Sequence, residues 1–353
     1  MSGRTVQSDY MYWAKNQAPV TWALGSSEVP HFRMDRWAID PAELELDGAS
    51  RYRYPPLRAA IARKCGVTPD MVTMADGTSM ANLLAMAGLI APGDEVLIEH
   101  PVYEPLVAAA RFLGAGVRQF RRQGPDFALD PVAISAELTS RTSLIILTNL
   151  HNPTGNLADT ATLKAIGALG PRVLVDEVYL DAAPGEATAA LLGDAFICTA
   201  SLTKVYGLSG LRCGWILASP VLTERFWRLN ELFSVAQSHA TERLSLLALA
   251  RLDEVAAETP ALLARNRALA NAFFAGRAEL EVAPMVHNVT CFPRLKTGNV
   301  DALEARLRAG YDTSIVPGRF FGLAEHFRLG VGQPTPLVEE GLARLGRALD
   351  ELR

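Results

Sequence analysis

Five short and almost continuously apolar runs, separated by longer segments with helical periodicity, constrain the fold more than any other feature of this sequence. These runs are EVLIE (95–99), SLIILT (143–148), RVLVD (172–176), AFICTA (195–200) and CGWIL (213–217). Strands that are apolar on both faces are typical of a sheet covered by helices on both sides. The alternation therefore predicts an α/β fold with a mostly parallel sheet flanked by helices.

Proline and capping residues mark the starts of the intervening helices. Pro56 begins one helical segment, and Asp130 is a predicted N-cap with Pro131 at the first helical position. Thr160 precedes a pattern that ends at Gly170. Because these boundaries agree with the hydrophobic periodicity, two separate signals predict the same helices.

A change of architecture is expected along a mostly helical stretch that runs from Pro220 toward Arg251. We predict a large α/β domain over residues 46–240 and a smaller α+β domain made of residues 1–45 and 241–353. The first forty residues or so read as loops that pack with the smaller domain. Its expected elements are two strands and a terminal amphipathic helix, at 288–293, 327–331 and 337–352.

Composition narrows the classes of function. With 353 residues, 49% of them apolar, and a net charge of −4, the chain has a large core but no basic field for nucleic acid. No apolar run is long enough for a membrane span, and the amino terminus lacks the pattern of a secretory signal. The four cysteines and six histidines lack metal-ligand spacing. We expect a cytoplasmic protein without a metal, acting on small molecules.

The segment SLTKVYGLSGLRCGW, at Ser201–Trp215, carries the clearest chemical signal. Lys204 follows a buried strand, and a poorly hydrated lysine amine is available as a nucleophile and base. Ser201 and Thr203 offer hydroxyl groups to a phosphate, and Arg212 offers a charge-assisted pair. The alternative is an exposed lysine at a strand-to-loop junction.

The segment DEVY places Asp176 and Tyr179 at the carboxyl end of another buried strand, where open α/β sheets bind their ligands. A carboxylate in this position can keep a pyridine nitrogen protonated, and the tyrosine hydroxyl can reach a ring oxygen. An aspartate that only caps the following turn is the plainer interpretation.

Three further motifs each have a structural alternative. The turn HNPTG offers Asn152 as a hydrogen-bond donor, although Asn-Pro turns need no function. The junction ADGTSMAN offers the amides of Gly77, Thr78 and Ser79 at a helix start, where the helix dipole favours phosphate. The segment HPVYEP offers Tyr103 as a flat surface for a ring, although a tyrosine is more often a packing residue.

In the order GTS, PxY, NPTG, DEVY, SLTK and GLR, these motifs resemble those of the class I/II aminotransferases of pyridoxal-phosphate fold type I. The resemblance implies pyridoxal 5'-phosphate as cofactor, bound as a Schiff base to Lys204. It also implies Asp176 at the ring nitrogen, Tyr179 and Asn152 at the ring oxygen, and Tyr103 stacked on the ring. The implied phosphate ligands are Gly77, Thr78, Ser79, Ser201, Thr203 and Arg212.

The same resemblance extends to the substrate and to a second subunit. Arg328, in HFRLGVG, resembles the arginine that binds the substrate α-carboxylate, with Asn152 beside it, and Gly25 resembles the glycine of the loop over the substrate. The family is typically homodimeric, with sites at the subunit interface. The tyrosine loop before the LRAAIA helix is shorter than the family's. By the resemblance, Tyr52 is the expected ligand of a neighbouring phosphate, with Tyr54 as the alternative.

Amino-group transfer between an L-amino acid and a 2-oxo acid is the activity that this resemblance implies. A lyase, a cyclase or a decarboxylase on the same fold is the first alternative, because SSEVPHF and VPGRFFG are similar to the capreomycidine-synthase-like branch. A non-catalytic regulator is less consistent with the sequence, since no basic DNA-binding segment is present. A nicotinamide enzyme lacks its GxGxxG turn.

Overall fold

The computed structural model describes residues 6–46 and 48–351. The helices are α1 Asp9–Asn16, α2 Pro55–Cys65, α3 Gly77–Leu89, α4 Glu104–Phe112, α5 Pro131–Glu137, α6 Thr160–Gly167, α7 Pro220–Asn230, α8 His239–Ala250, α9 Leu252–Ala256, α10 Thr259–Ala275, α11 Val300–Tyr311 and α12 Thr335–Asp350. The longer strands are β2 Val72–Asp76, β3 Glu95–His100, β4 Gly116–Arg121, β5 Thr142–Thr148, β6 Arg172–Asp176, β7 Phe196–Ser201 and β8 Cys213–Leu217. The shorter strands are β1 Trp22–Ala23, β9 Leu280–Glu281, β10 Thr290–Cys291, β11 Arg294–Leu295, β12 Thr313–Ser314, β13 Val316–Pro317 and β14 Phe327–Gly330.

A seven-stranded sheet with the order β2-β8-β7-β6-β5-β3-β4 forms the centre of the molecule. The pairs from β4 to β7 are parallel, whereas β8 runs antiparallel to both β7 and β2. The carboxyl ends of β5, β6 and β7 therefore lie side by side at one edge. The predicted mostly parallel sheet is confirmed.

Both faces of this sheet are covered, as the apolar runs predict. Ile145 and Leu147 of β5 belong to one buried core, whereas Leu144 and Ile146 belong to the core on the opposite face. Side chains alternate between faces along a strand, so a continuous apolar run supplies both cores. Each fully buried aliphatic side chain contributes about 1.5–3 kcal/mol to stability.

A third core packs Leu24 with apolar residues from α10, α11, α12 and the short strands between them. Its three-stranded sheet has the order β10-β14-β13, close to the two predicted strands of the smaller domain. Helix α12 ends at Asp350, and Leu352 of the predicted terminal helix lies outside the described residues. The domain boundaries themselves, which include residues 1–5 and 47 outside the described ranges, stay a prediction.

Three sequence predictions about helices were wrong. Residues 9–16 form α1 rather than loop, because the Ser8 hydroxyl accepts a hydrogen bond from Met11 N–H and caps this helix. The stretch after Pro220 is two helices, since α7 ends at Asn230 and α8 begins at His239. Between them, the amides of residues 233–235 all bond to the Asn230 carbonyl, which closes a turn instead of continuing the helix. Helix α6 also ends at Gly167, before the predicted Gly170.

Two glycines allow β8 to approach the start of α3. Gly77 has a positive φ of 77°, and a Cβ atom there would overlap the Arg212 guanidinium. A Cβ atom on Gly214 of β8 would lie 2.5 Å from the Gly77 carbonyl carbon. Backbone atoms cannot yield to such an overlap without moving the strand or the helix.

We expect Gly214→Ala to lower the free energy of unfolding by about 1–3 kcal/mol, because the added methyl group overpacks against the backbone of Gly77. Urea unfolding followed by circular dichroism measures this loss. Gly210→Ala is the matched control, since no atom of the described residues lies within 4 Å of a Cβ added there. Equal stability of the two variants would contradict the proposed close approach.

Candidate active site

A cavity of about 740 Å³ opens at the carboxyl ends of β5, β6 and β7. Its lining contains most of the residues that the sequence predicts for the site: Gly25, Thr78, Ser79, Tyr103, Asn152, Asp176, Tyr179, Ser201, Thr203, Lys204, Arg212 and Arg328. These residues span 304 positions of the chain, from 25 to 328, and the fold brings them to one cleft.

Lys204 lies three residues after β7 and directs its amine into this cavity. Its Nζ atom lies 3.3 Å from Ser27 Oγ and 3.7 Å from the nearer carboxylate oxygen of Glu28. The Val29 amide bonds to the Lys204 carbonyl, which joins the segment around Ser27 to the lysine loop. The Lys204 side chain is partly exposed. Its amine contacts a polar partner, Ser27, in the amino-terminal segment.

Asp176 ends β6 and is buried. Its carboxylate accepts hydrogen bonds from Asn82 Nδ2 at 2.7 Å and from the Val178 amide at 3.0 Å. Thr199 of β7 in turn donates to Asn82 Oδ1 at 2.6 Å, which orients the asparagine amide. Burial raises the pKa of Asp176 to about 6, although the nearby Lys204 charge acts in the opposite direction. A cation inside the cavity would compensate this desolvation.

The start of α3 forms a polar cradle with the loop that follows β7. Thr78 Oγ1 donates to Ser201 Oγ at 2.8 Å, and the Ser201 hydroxyl also accepts the Thr203 amide at 3.3 Å. Arg212 donates to the Asp76 carbonyl at 3.1 Å, which places its guanidinium beside Gly77. Helix amides, hydroxyls and a guanidinium in one place match an anion such as phosphate.

Arg328 is buried in the wall of the cavity, without a carboxylate partner among the described residues. It donates to Asn152 Oδ1 at 3.2 Å, to Tyr10 Oη at 2.9 Å and to the Gly25 carbonyl at 3.2 Å. Its Nε atom is buried and has no hydrogen-bond partner in the described structure. A buried guanidinium surrounded by neutral oxygens is suited to a carboxylate ligand.

Two tyrosines border the space between these groups. Tyr179 is buried and donates to the Ser27 carbonyl at 2.9 Å. Tyr103 packs edge-to-face on Tyr10, with 5.7 Å between ring centroids, and burial raises its pKa well above the usual range. Both rings are thus fixed by packing beside the cavity.

Tyr52 and Tyr54 do not line this cavity. Tyr54 is buried, and its hydroxyl accepts a hydrogen bond from Arg243 at 2.9 Å. Tyr52 is 43% exposed and bonds to Glu231 on the surface. The two tyrosines therefore differ in exposure: the Tyr52 side chain is partly accessible at the surface, and that of Tyr54 is not.

Sequence reasoning missed several residues that complete the site. Asn82 lies four residues after Thr78 on α3, and this spacing places both on one helix face. That signal was present in the sequence. Ser27, Glu28 and the contact of Tyr10 with Arg328 carry no such local signal, because they depend on how the amino-terminal segment packs across the cleft.

Two findings bear on the expectations about membrane spans and metal sites. Within residues 6–46 and 48–351, the helices are too short or insufficiently apolar to cross a bilayer. The same residues contain no group of three or more His, Cys, Asp or Glu side chains arranged to hold a metal ion.

The sequence profile of a family described as aminotransferase class I and II matches residues 23–345. Capreomycidine synthase of Streptomyces vinaceus is 33% identical over 334 residues, which cover 88% of this chain and 85% of that protein. A histidinol-phosphate aminotransferase of Anaeromyxobacter sp. (strain Fw109-5) is 30% identical over 349 residues, which cover 92% of each protein.

Solved structures share this fold over almost their whole length. A PLP-dependent aminotransferase from Streptococcus suis 89-1591 has a TM-score of 0.91 at 20% identity, with 99% of each chain covered. The PLP-dependent cyclase OrfR has a TM-score of 0.87 at 25% identity, with 99% of this chain and 100% of that chain covered. These superpositions confirm the predicted fold type.

Asp176 gives the site a pH dependence that is measurable without a ligand. Its folded pKa of about 6 lies above the value of 3.8 for an unperturbed aspartate. The stability that protonation contributes is therefore fully present below pH 3.8 and is lost as the pH rises through about 6. Relative to Asp176→Asn, the wild-type protein should lose about 3 kcal/mol of unfolding free energy across this range. Urea unfolding of both cofactor-free proteins tests this, and a pH-independent difference would refute it.

Proposed function

The chain belongs to the class I and II aminotransferase family, and from this premise we propose that it binds pyridoxal 5'-phosphate on Lys204 and transfers an amino group between an L-amino acid and a 2-oxo acid. The observation that carries the proposal is the convergence of Lys204, the buried Asp176 carboxylate and the buried Arg328 guanidinium on one cavity. No single motif contains all three groups.

The residues present fit this cofactor. The polar cradle of Thr78, Ser201 and Arg212 matches its phosphate, and the desolvated Asp176 carboxylate matches a protonated ring nitrogen. Gly77 supports the cradle, because a side chain there would displace the Arg212 guanidinium. Ser79 and Thr203, which also border this end of the cavity, complete the proposed set of phosphate ligands.

When bound, pyridoxal phosphate supplies an aldehyde that condenses with amines and a ring that withdraws electrons from the substrate α-carbon. Lys204 Nζ would hold the cofactor covalently, and the freed amine would move a proton to and from the substrate α-carbon. Asp176 would keep the ring nitrogen protonated, because its carboxylate lies in a desolvated position where a cation is favoured. Tyr103 would provide a flat surface for the ring.

Arg328 binds the substrate α-carboxylate through its guanidinium, and Gly25 lies in the loop that covers the substrate. The Oδ1 atom of Asn152 already accepts a hydrogen bond from Arg328. Its amide nitrogen would then be the end that donates to the ring oxygen, and the Tyr179 hydroxyl would donate there in place of the Ser27 carbonyl that it bonds to here. Fixing the carboxylate and the ring fixes which bond to the α-carbon is broken.

We also propose that the protein acts as a homodimer in which Tyr52 reaches the phosphate of the neighbouring subunit. Its exposure and its position outside the cavity of its own chain support this role. The proposed substrates are small amino acids and oxo acids rather than nucleic acid or membrane lipid.

Borohydride reduction tests the covalent assignment. The cofactor-saturated protein should carry one reduced pyridoxyl group, on the tryptic peptide that contains Lys204, as detected by mass spectrometry. Lys204→Ala should lose this adduct and reduce amino transfer by a factor of about 10² or more, because it removes both the nucleophile and the base. Lys15→Ala is the matched control, since Lys15 lines the same cavity and should leave the adduct in place. An adduct that persists in the Lys204 variant would exclude the assignment.

A cyclase is the second candidate function. The match to capreomycidine synthase at 33% identity over 334 residues, and the OrfR structure at 25% identity, favour it. A cyclase uses the same lysine, carboxylate and arginine, so the cavity described above accommodates either outcome. The two activities differ in the form of the cofactor that remains after one turnover.

Incubation with a single amino acid separates the two candidates. An aminotransferase should convert its cofactor stoichiometrically to pyridoxamine phosphate, because no oxo acid is present to take the amino group back. The visible absorbance of the bound aldehyde should disappear, and chromatography of the released cofactor should show the amine form. Regeneration of pyridoxal phosphate during continued substrate consumption would instead establish a cyclase or lyase.

A further inference from the structure

A buried ion pair lies behind the Asn152 turn, outside the cavity. Glu99 at the end of β3 and Arg122 just after β4 are both fully buried, and Arg122 Nε donates to Glu99 Oε2 at 2.8 Å. The proposed reaction uses neither residue. Desolvating two charges is costly unless their remaining hydrogen-bonding atoms are satisfied, so the partners of this pair are informative.

Most remaining hydrogen bonds of the pair go to the segment that carries Asn152, and Arg122 also donates to the Phe127 carbonyl at 3.1 Å. Glu99 Oε1 accepts from the Thr148 amide at 2.8 Å and from the Thr148 hydroxyl at 2.7 Å. Arg122 donates to the Thr148 carbonyl at 3.0 Å and to Asn156 Oδ1 at 3.4 Å. The pair therefore bonds to the chain both before and after the turn.

Thr148 connects this pair to the cavity. Its hydroxyl has one proton, which it donates to Glu99, so its lone pairs are free to accept the Asn152 amide at 3.0 Å. Thr148 also lines the cavity itself. A continuous chain of hydrogen bonds thus runs from Arg122 through Glu99 and Thr148 to the backbone of Asn152.

His151 supports the same turn from the other side. Its Nε2 atom lies 2.9 Å from the Pro101 carbonyl, and its Nδ1 atom lies 2.7 Å from Thr154 Oγ1. Burial lowers the pKa of His151 well below its usual range, so the ring is neutral. A neutral imidazole donates from Nε2 to the carbonyl and accepts at Nδ1.

We propose that Glu99, Arg122 and Thr148 are positioning residues that fix Asn152, so that its side chain bridges Arg328 and the ring oxygen of the cofactor. The inference rests on the proposed function for the identity of that ring. The inference goes beyond the proposed function because it assigns a role to three residues that touch neither the substrate carboxylate nor the phosphate cradle. Charged groups hold the turn more strongly than neutral ones, because hydrogen bonds to ionised partners are stronger.

Thr148→Val tests this role with little change in shape. It removes the hydroxyl that joins Glu99 to the Asn152 amide, whereas Thr148→Ser restores a hydroxyl. Thr73→Val is the matched control, because Thr73 is a buried strand threonine of the same sheet whose hydroxyl makes only a 3.4 Å contact, to the Thr223 carbonyl. Thr148→Cys provides a second, milder variant should the valine variant fold poorly.

The first readout is the pH midpoint of the visible absorbance of the cofactor-loaded protein. An N–H donated to the ring oxygen withdraws negative charge from the atom that shares the Schiff-base proton, so weakening that bond raises the midpoint. We expect an upward shift of about 0.5–1 pH unit in Thr148→Val. The serine and Thr73 variants should keep the wild-type midpoint, and the cysteine variant should shift in the same direction as valine.

The second readout is hydrogen exchange of the peptide that spans residues 149–156 in cofactor-free protein. This exchange should be faster in Thr148→Val than in wild type or Thr73→Val, because the Asn152 amide has lost its acceptor. If the wild-type absorbance titrates and Thr148→Val changes neither the exchange rate nor the midpoint, the positioning role is overturned. A wild-type protein that shows no visible cofactor band would instead refute the proposed function, while the exchange measurement would still decide the role of Thr148.

Discussion

The parallel register of three neighbouring strands is the constraint on which the rest of this site depends. Backbone pairing sets Thr148 of β5 opposite Asp176 of β6, and Asp176 opposite Thr199 of β7. Residues in such a row point to the same face of the sheet. From this row, Thr148 reaches the Asn152 amide, and Thr199 orients Asn82 toward Asp176. A slip of one residue in any of these strands would turn one member away.

Two buried guanidinium groups differ in how the chain compensates their charge. Arg122 has the Glu99 carboxylate and backbone carbonyls as partners, so its charge is compensated within the chain. Arg328 has only neutral oxygens, the rings of Tyr10 and Phe321 and an unpaired Nε atom in the described structure. An uncompensated buried cation is destabilising by several kcal/mol. A bound carboxylate would offset that cost, which supports the proposed role of Arg328 in binding the substrate carboxylate.

The strand-end motifs were predictable because each reactive group follows an apolar run within a few residues. Asp176 is the last residue of β6, and Lys204 and Asn152 follow the ends of β7 and β5 within four residues; the burial of these strands is evident from composition alone. The turn between α7 and α8 was not predictable in this way, because helical residues continue through it. It depends on three amides that converge on the Asn230 carbonyl. Helix α1 was missed because it is short, and its Ser8 cap has no long amphipathic pattern behind it.

The sequence by itself determined the fold class and the chemical groups of the site, since strand periodicity and motif order are local properties of the chain. It also determined which residues lie at strand ends, and so which edge of the sheet they share. Only the tertiary structure decided that Arg328 meets Asn152 and Tyr10, that Glu28 approaches Lys204, and that Glu99 and Arg122 support the Asn152 turn. These contacts join segments that are far apart in the chain. Their geometry depends on how the helices and strands pack together, which no local sequence pattern specifies.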